Sequence, residues 1–507
     1  MKWLKAGHDY VWVSAALVVS AVLQFVTIGQ RSVWHDESFT AMLINYDYGE
    51  MIRRATLDVH PPLYYLILKP WSDLFGTTEA ALRSFSAVCM LGAIAMTFLV
   101  VRRLFDSLTA RFVLPFMVFA PFIVRYGMEA RMYGLAALIG MTATYVLIRI
   151  NQSKGSQLGL WIAYALLMAA LLYTHYFAGL LIAVHWLYMF MESRRKHPKA
   201  NRRQAFMKLP KVWWGANIAA AALFAPWLPT FLTQAGKVNT GFWIGAVSRW
   251  TFPETTTTLV LLRSFWTIPP VAKGLFFVLV GGFALAAGQQ YRAANKQTKQ
   301  NIMLLGSYLI LPALILFVAS ASPLVSVYYV RYFSLFAVGF YAFIGVICAR
   351  AWLVEPNPTK QIMALLTLGV LISGVVAIYQ PAEFADIRND RFAMKRIVKQ
   401  IAARGARNDV IVNTDLGTYF DARYYNPTNQ TVRVHNDEPA NPYGNWSLVY
   451  DRDEIMNYDY GDITSPSGYV WFISGSDLPF PKLPSNWQAD TPVLQDGYAK
   501  FVRYRIR

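Results

Sequence analysis

The chain has 507 residues, 55% of them hydrophobic and only 15% charged, with a formal net charge of +18. A soluble domain has about a quarter of its residues charged, so lipid rather than an internal core is the solvent for most of this protein. Up to residue 380 there are 32 Lys and Arg against 13 Asp and Glu, but after it 15 against 16; the positive excess lies beside apolar runs, where it sets membrane orientation, and nucleic acid is excluded as its cause.

The first apolar run, Tyr10 to Ile28, follows Lys2 and Lys5. It is near full spanning length and lacks a leader's short apolar core and small-residue cleavage site, so it predicts a retained helix. Windows of about 17 to 22 apolar residues predict ten more spans. They lie near 84–104, 108–124, 133–150, 158–174, 177–191, 212–230, 271–288, 302–320, 332–353 and 361–379. Short apolar pieces at 63–71 and 257–268 predict helices lying in the interface. Cys89 and Cys348 each fall inside an apolar run, which predicts packed small side chains rather than a disulfide or metal pair.

One set of loops holds Lys2, Lys5, Arg102, Arg103, Arg111, Arg149, Lys154, the run from Arg194 to Lys211, Arg292, Lys296, Lys299, Arg350 and Lys360. That set carries 20 basic and 4 acidic residues, and the opposite loops are much nearer balance. The basic side is expected to be cytoplasmic, N-terminus included. An odd number of spans then puts the tail, 381–507, outside the cytoplasmic membrane. Residues 1–380 are read as the membrane domain, with a first outer loop at 29–83.

The tail has its own pattern. Phe392 to Arg404 predicts a basic amphipathic helix, Asp409 to Asn413 a strand, and Gly417 to Tyr425 a turn into a short helix. Further strands are expected at Ser447–Tyr450, Gly468–Ile473 and Tyr498–Ile506. The expected fold class is therefore a polytopic α-helical membrane protein of about eleven transmembrane helices with a small C-terminal α/β extracytoplasmic domain.

Polar groups beside a membrane are costly and concentrate at functional sites. The first outer loop places Asp36 and Glu37 in Trp34-His-Asp-Glu-Ser38, directly after the first span. It then places Asp58 and His60 before Pro61-Pro62, where proline fixes the backbone and starts a helix at Leu63, followed by Tyr64 and Tyr65. The next outer turn, Arg125 to Tyr133, holds Arg125, Glu129, Arg131 and Tyr133; the spacing puts Arg125 and Glu129 on one helical face. Thr174-His175-Tyr176 and Tyr328 to Tyr332, with Arg331, complete the outer turns. His185, in mid-span, reads as a packed polar residue. The many Trp at span ends (Trp34, Trp71, Trp227, Trp243, Trp250) read as interface belts.

This set suits glycosyl transfer from a lipid phosphate. The acceptor's proton needs a carboxylate, a role for Asp36 or Glu37. Phosphate leaves readily and needs charge neutralisation more than an acid, a role for Arg125, Arg131 and Arg331. A transporter or flippase would call for polar groups at mid-bilayer and inverted repeats. A non-catalytic envelope scaffold would leave the acidic pair dispensable.

Taken in order, Trp34-His-Asp-Glu-Ser38, Asp58-Val-His-Pro-Pro-Leu-Tyr-Tyr65, Arg125-Tyr-Gly-Met-Glu-Ala-Arg-Met-Tyr133, Thr174-His-Tyr176 and Val330-Arg-Tyr332 resemble the GT-C superfamily of polyprenyl-phosphate-sugar-dependent glycosyltransferases. The nearest branch is the bacterial family-39, protein-mannosyltransferase-like group, over roughly residues 10–355. The resemblance implies inverting transfer of a sugar from a polyprenyl-phosphate donor; the acceptor is expected to be an envelope glycan, lipid or protein, and the resemblance by itself does not imply a protein. Asp36 matches the catalytic aspartate and Glu37 its partner; Asp58, His60, Tyr64, Arg125, Glu129, Arg131, Tyr133, His175, Tyr176 and Arg331 fall on substrate-binding segments. Some relatives hold a divalent metal ion there, for which His60, Glu129 and His175 are the ligands this chain offers. The related aminoarabinose transferases present a Lys before their Pro-Pro where this chain has His60. The large inserted sugar-binding-like domain of eukaryotic protein mannosyltransferases is missing, and the tail is expected to help hold the acceptor.

Overall fold

Long apolar runs leave a backbone no choice but the helix, because lipid offers its N–H and C=O groups no partner. A computed structural model describes residues 8–153, 155, 157–238, 244–321, 326–354, 356–380, 394–426, 430–435, 444–452, 456–457, 459–475, 482–497 and 499–506. Lys2, Lys5, Lys154, Trp243 and Phe392 of the sequence reading lie outside the described residues. Contacts divide the chain into two compact units: a helical one of Met1–Val26 with Arg83–Ile387, and a mixed one of Thr27–Leu82 with Arg388–Arg507. The first loop is therefore grouped with the tail rather than with the helices that flank it.

Among the described residues, seven helices in the helical unit and at its edge are long and apolar enough to cross a membrane: Glu79–Leu104, Tyr133–Gln152, Tyr176–Lys196, Lys211–Lys237, Pro270–Ala293, Lys296–Ser320 and Pro358–Tyr379. Ser107–Val118 and Pro121–Gly127 form an eighth candidate bent by 61°. The bend falls where Ala120 is extended and Pro121 has no N–H to donate, which interrupts the ladder. The windows at 10–28, 158–174 and 332–353 coincide with the apolar helices Asp9–Phe25, Leu158–Thr174 and Ala337–Leu353. Each has 17 residues, or about 26 Å at 1.5 Å per residue. The piece at 257–268 is helical only to Leu261, within Thr251–Leu261, and Leu262 then takes a left-handed conformation that ends it.

Small residues let these helices approach closely. A Cβ on Gly345 would lie 3.1 Å from the backbone of Val113, and one on Gly339 would overlap the Tyr308 ring. His185, fully buried, reads as the sequence suggests. Its Nε2 lies 2.8 Å from Thr144 Oγ1 and its Nδ1 3.0 Å from the Tyr164 hydroxyl, and Tyr308 bonds Thr144 in turn.

The mixed unit carries three helices from the first loop, His35–Leu43, Tyr48–Leu57 and Leu63–Phe75. The first two were not foreseen, although Asp47, which accepts the Glu50 N–H, is a legible cap. The tail adds the helices Met394–Arg404 and Leu416–Tyr425 and seven strands: β1 Val410–Asn413, β2 Val432–His435, β3 Met456–Asn457, β4 Tyr469–Gly475, β5 Gln488–Ala489, β6 Leu494–Asp496 and β7 Ala499–Arg505. The sheet order is β3-β2-β1-β4-β7-β5, with β6 also on β7. The β3-β2-β1-β4 part is parallel and β7 runs antiparallel to β4. Leu416–Tyr425 is the crossover between the parallel β1 and β2, the connection such a pair requires.

The strand expected at Ser447–Tyr450 is instead a 3-10 turn, Gly444–Leu448. Its carbonyls serve the first loop rather than a ladder: Arg54 Nη1 donates to Ser447 O at 2.7 Å and the Tyr46 hydroxyl to Leu448 O at 2.9 Å. Arg54 also holds both Asp451 oxygens at 2.9 Å and Glu50 Oε1 at 2.6 Å. A second tie joins Lys395 Nζ and the Tyr425 hydroxyl to Glu79 Oε1, at 2.6 and 3.0 Å, while Tyr425 accepts the Val33 N–H at 2.7 Å.

Candidate active site

The acidic pair occupies the first turn of the His35–Leu43 helix, capped by the extended Trp34. Carboxylates are favoured there because the first N–H groups of a helix have no internal acceptor. Glu37 is buried at 1% exposure, and Asp36 is half-buried. Ser38 is fully buried; its hydroxyl donates to the His35 carbonyl at 3.1 Å, and the Thr40 hydroxyl to the Asp36 carbonyl at 2.8 Å.

In the same unit Asp58 closes the Tyr48–Leu57 helix, its N–H bonding Arg54 O at 3.2 Å. Its buried carboxylate lies 3.0 Å from His60 Nδ1. Pro62 then begins the Leu63–Phe75 helix, as the Pro-Pro signal implies. Tyr64 is fully buried and edge-on to Tyr65, ring centroids 5.7 Å apart.

The remaining candidates lie in the helical unit. Arg125 ends the Pro121–Gly127 helix, and its Nη1 is 3.4 Å from Glu129 Oε2. The chain then tightens: Arg131 N–H bonds Glu129 O at 2.7 Å, and Ser86 holds the Arg131 carbonyl at 3.0 Å. Glu129 and Arg131 are buried, at 1% and 2% exposure. Aromatic contacts carry the cluster onward. Tyr126 meets Tyr133 at 5.1 Å, Tyr133 meets His175 at 6.3 Å, and His175 meets Tyr332 at 5.6 Å. The Tyr126 hydroxyl lies in the electrostatic reach of Arg125, Glu129 and Arg331, and Arg331 packs on Tyr329 at 5.4 Å. The helical unit thus gathers Arg125, Glu129, Tyr133, His175 and Arg331. Tyr176 belongs to a different neighbourhood: it donates to Gln234 Oε1, accepts from Trp227 Nε1 at 2.8 Å and packs on Phe231.

Among the described residues, no three His, Cys, Asp or Glu side chains are placed to hold a metal ion together. Within those residues no such group contains His60, Glu129 or His175. His60 Nδ1 is committed to Asp58, Glu129 to Arg125, and His175 Nδ1 accepts the Phe177 N–H at 3.2 Å.

Sequence reasoning missed Asp421. It is completely buried on the Leu416–Tyr425 helix and hydrogen-bonded to Ser38. No local pattern marks it, since its partner is 383 residues away.

Residues 59–229 match the family model described as dolichyl-phosphate-mannose-protein mannosyltransferase. No curated protein matches the chain. Among solved structures, the chain is similar to ArnT from Cupriavidus metallidurans bound to undecaprenyl phosphate, with a TM-score of 0.59 and 14% identity over 98% of each chain. The same protein in the apo state matches with 0.59 and 12%. The Archaeoglobus fulgidus oligosaccharyltransferase complexed with Zn and sulfate matches at 0.51 and 11%, over 92% of this chain and 68% of that one. These likenesses show a shared fold that takes in nearly all of this chain.

Proposed function

We propose that this chain is an integral-membrane glycosyltransferase that moves a sugar, with inversion, from a polyprenyl-phosphate donor to an envelope glycan, lipid or protein acceptor. The observation that carries the reading is the family match over 59–229, which contains Val59–Tyr65, directly after Asp58, and Arg125–Tyr133. The fold it shares with a protein crystallised on undecaprenyl phosphate supports it.

In the reaction, an acceptor hydroxyl attacks the anomeric carbon of the donor sugar from the face opposite the phosphate. Asp36 takes the hydroxyl proton as the new bond forms. The bond from the anomeric carbon to the phosphate oxygen breaks, and polyprenyl phosphate departs with the electron pair. Arg125, Arg131 and Arg331 neutralise the charge that grows on it, as fixed cations do best away from water. Glu37 supports Asp36, and Asp58, His60, Tyr64, Glu129, Tyr133, His175 and Tyr176 shape the binding of donor and acceptor. The bent pair and the three 17-residue helices complete eleven spans, with the N-terminus in the cytoplasm and the mixed unit on the outer face of the cytoplasmic membrane.

The decisive experiment is Asp36→Asn in membranes supplied with polyprenyl-phosphate sugars and envelope extract. Transfer falls at least about 100-fold, the usual contribution of a general base, while the protein still inserts. Undiminished transfer overturns the assignment. Orientation is tested at Val493, 58% exposed: an impermeant maleimide labels Val493→Cys in intact spheroplasts. Labelling only after permeabilisation reverses the topology.

A further inference from the structure

Within the mixed unit, one carboxyl that the mechanism leaves unused lies against the acidic helix. Asp421 is wholly buried, its Oδ1 bonds the Ser38 hydroxyl, and its Oδ2 is buried with no hydrogen-bonding partner among the described residues. The helix that carries it is keyed to the acidic helix on either side of Ser38. Phe420 stacks on His35 at 5.7 Å and meets Phe39 edge-on at 6.1 Å.

The charges that act on Asp421 are Asp415, at the cap of its own helix, and Glu37 and Asp36 across the contact. Of the elements packed on its helix, Met394–Arg404 carries Lys395, Arg396, Lys399 and Arg404, and β2 carries Arg433 and His435. Lys395 is engaged by Glu79 and Arg396 by Asp496. Burial first, and the three carboxylates with it, push the Asp421 carboxyl well above the ordinary range, against a smaller opposing pull from the Ser38 bond.

A serine hydroxyl has one proton to donate. If Asp421 were charged, Ser38 would have to choose between it and the His35 carbonyl, 3.1 Å away. A neutral Asp421 lets both bonds form, since it donates to Ser38 Oγ and Ser38 donates to His35. We infer that Asp421 is a positioning residue for the acidic pair: as a neutral acid it fixes, through Ser38, the first turn of the His35–Leu43 helix and so the direction in which Asp36 and Glu37 leave it. The inference rests on the reading of Asp36 as the base.

Two readouts test it on the full-length protein in membranes. The first is infrared difference spectroscopy, which shows a protonated-carboxyl band at neutral pH in the wild type and in D36N but not in D421N. A wild type without that band overturns the proposal. The second is transfer from polyprenyl-phosphate mannose. D421A lowers kcat about tenfold with the donor KM unchanged, as misplacement of a reacting group does, and D421N recovers most of the loss. Unchanged turnover in D421A, or a D421N no better than D421A, overturns it. Full activity in D36N with the band intact would instead sink the base assignment and leave the neutral acid standing.

Discussion

Glu129 in the helical unit and Asp421 in the mixed unit are both buried carboxyls, and the two regions treat them in opposite ways. Around Glu129 the chain supplies Arg125, with Arg331 also in the electrostatic neighbourhood of Tyr126, so the negative charge is answered by positive ones. Around Asp421 burial acts first, and Asp415, Glu37 and Asp36 add to it, so a charge there is opposed. One region is built to hold charge, as the leaving phosphate of the proposed reaction would require. The other is built to hold a proton beside a pair of carboxylates, where acid and base roles are set by neighbours.

The largest break of this contrast is Arg125→Met. It removes the Arg125–Glu129 ion pair and should lower kcat/KM for transfer about 100-fold, typical for loss of one group stabilising developing charge. The double variant Arg125→Met with Glu129→Gln should recover thermal stability in detergent but not transfer, and recovery of both would demote Arg125 to a structural role.

Next comes Arg54→Met. It leaves the Ser447 carbonyl without this donor and Glu50 and Asp451 with Arg53 alone and should cost about 2 kcal/mol, the penalty of a weakened network. The measurement is the melting transition followed by tail proteolysis.

The pH dependence sharpens the comparison inside the mixed unit. Glu50 lies below the ordinary carboxylate range chiefly through its hydrogen bond to Arg53. Burial would raise Asp451, but Arg54, a backbone hydrogen bond and Arg53 together outweigh it and leave that carboxyl low as well. Lowered groups add stability above the normal carboxylate pKa of about 4 and lose it as pH falls. Asp421 has the opposite sign: its contribution is present in acid and declines as pH rises. Arg54→Met should therefore flatten acid melting, while Asp421→Asn should remove the decline on the alkaline side. Superimposed melting curves across pH would refute both.

The smallest effect is Thr144→Val in the neutral network of the helical unit. A loss of about 1 kcal/mol is expected from the missing hydrogen bonds to His185 and Tyr308, with transfer unchanged. A loss of transfer there would assign chemistry to a group that reads as packing.

The membrane helices were legible because a long apolar run specifies itself, needing no knowledge of its neighbours. The same holds for β1, β4, β7 and the Leu416–Tyr425 crossover, whose strands or caps are long enough to carry a pattern. Two-residue strands such as β3 and β5 carry none. Ser447–Tyr450 reads as a strand by its Leu-Val-Tyr run but is spent on Arg54, a partner that no local window contains. The motif residues of the candidate site were visible by type and order. What the sequence did not disclose was their sharing of work, such as His60 with Asp58 or Ser38 with Asp421, since those pairings are made by the fold.

The mixed unit is assembled from two stretches of chain with the membrane helices made between them. Asp421 is synthesised 383 residues after Ser38, about 20 to 80 s later at ribosomal rates. For that interval the acidic helix has no tail helix to lie against. Its burial against that helix, and any activity that depends on it, waits on the tail, and a nascent protein that ends before residue 421 would carry the candidate membrane helices without that support.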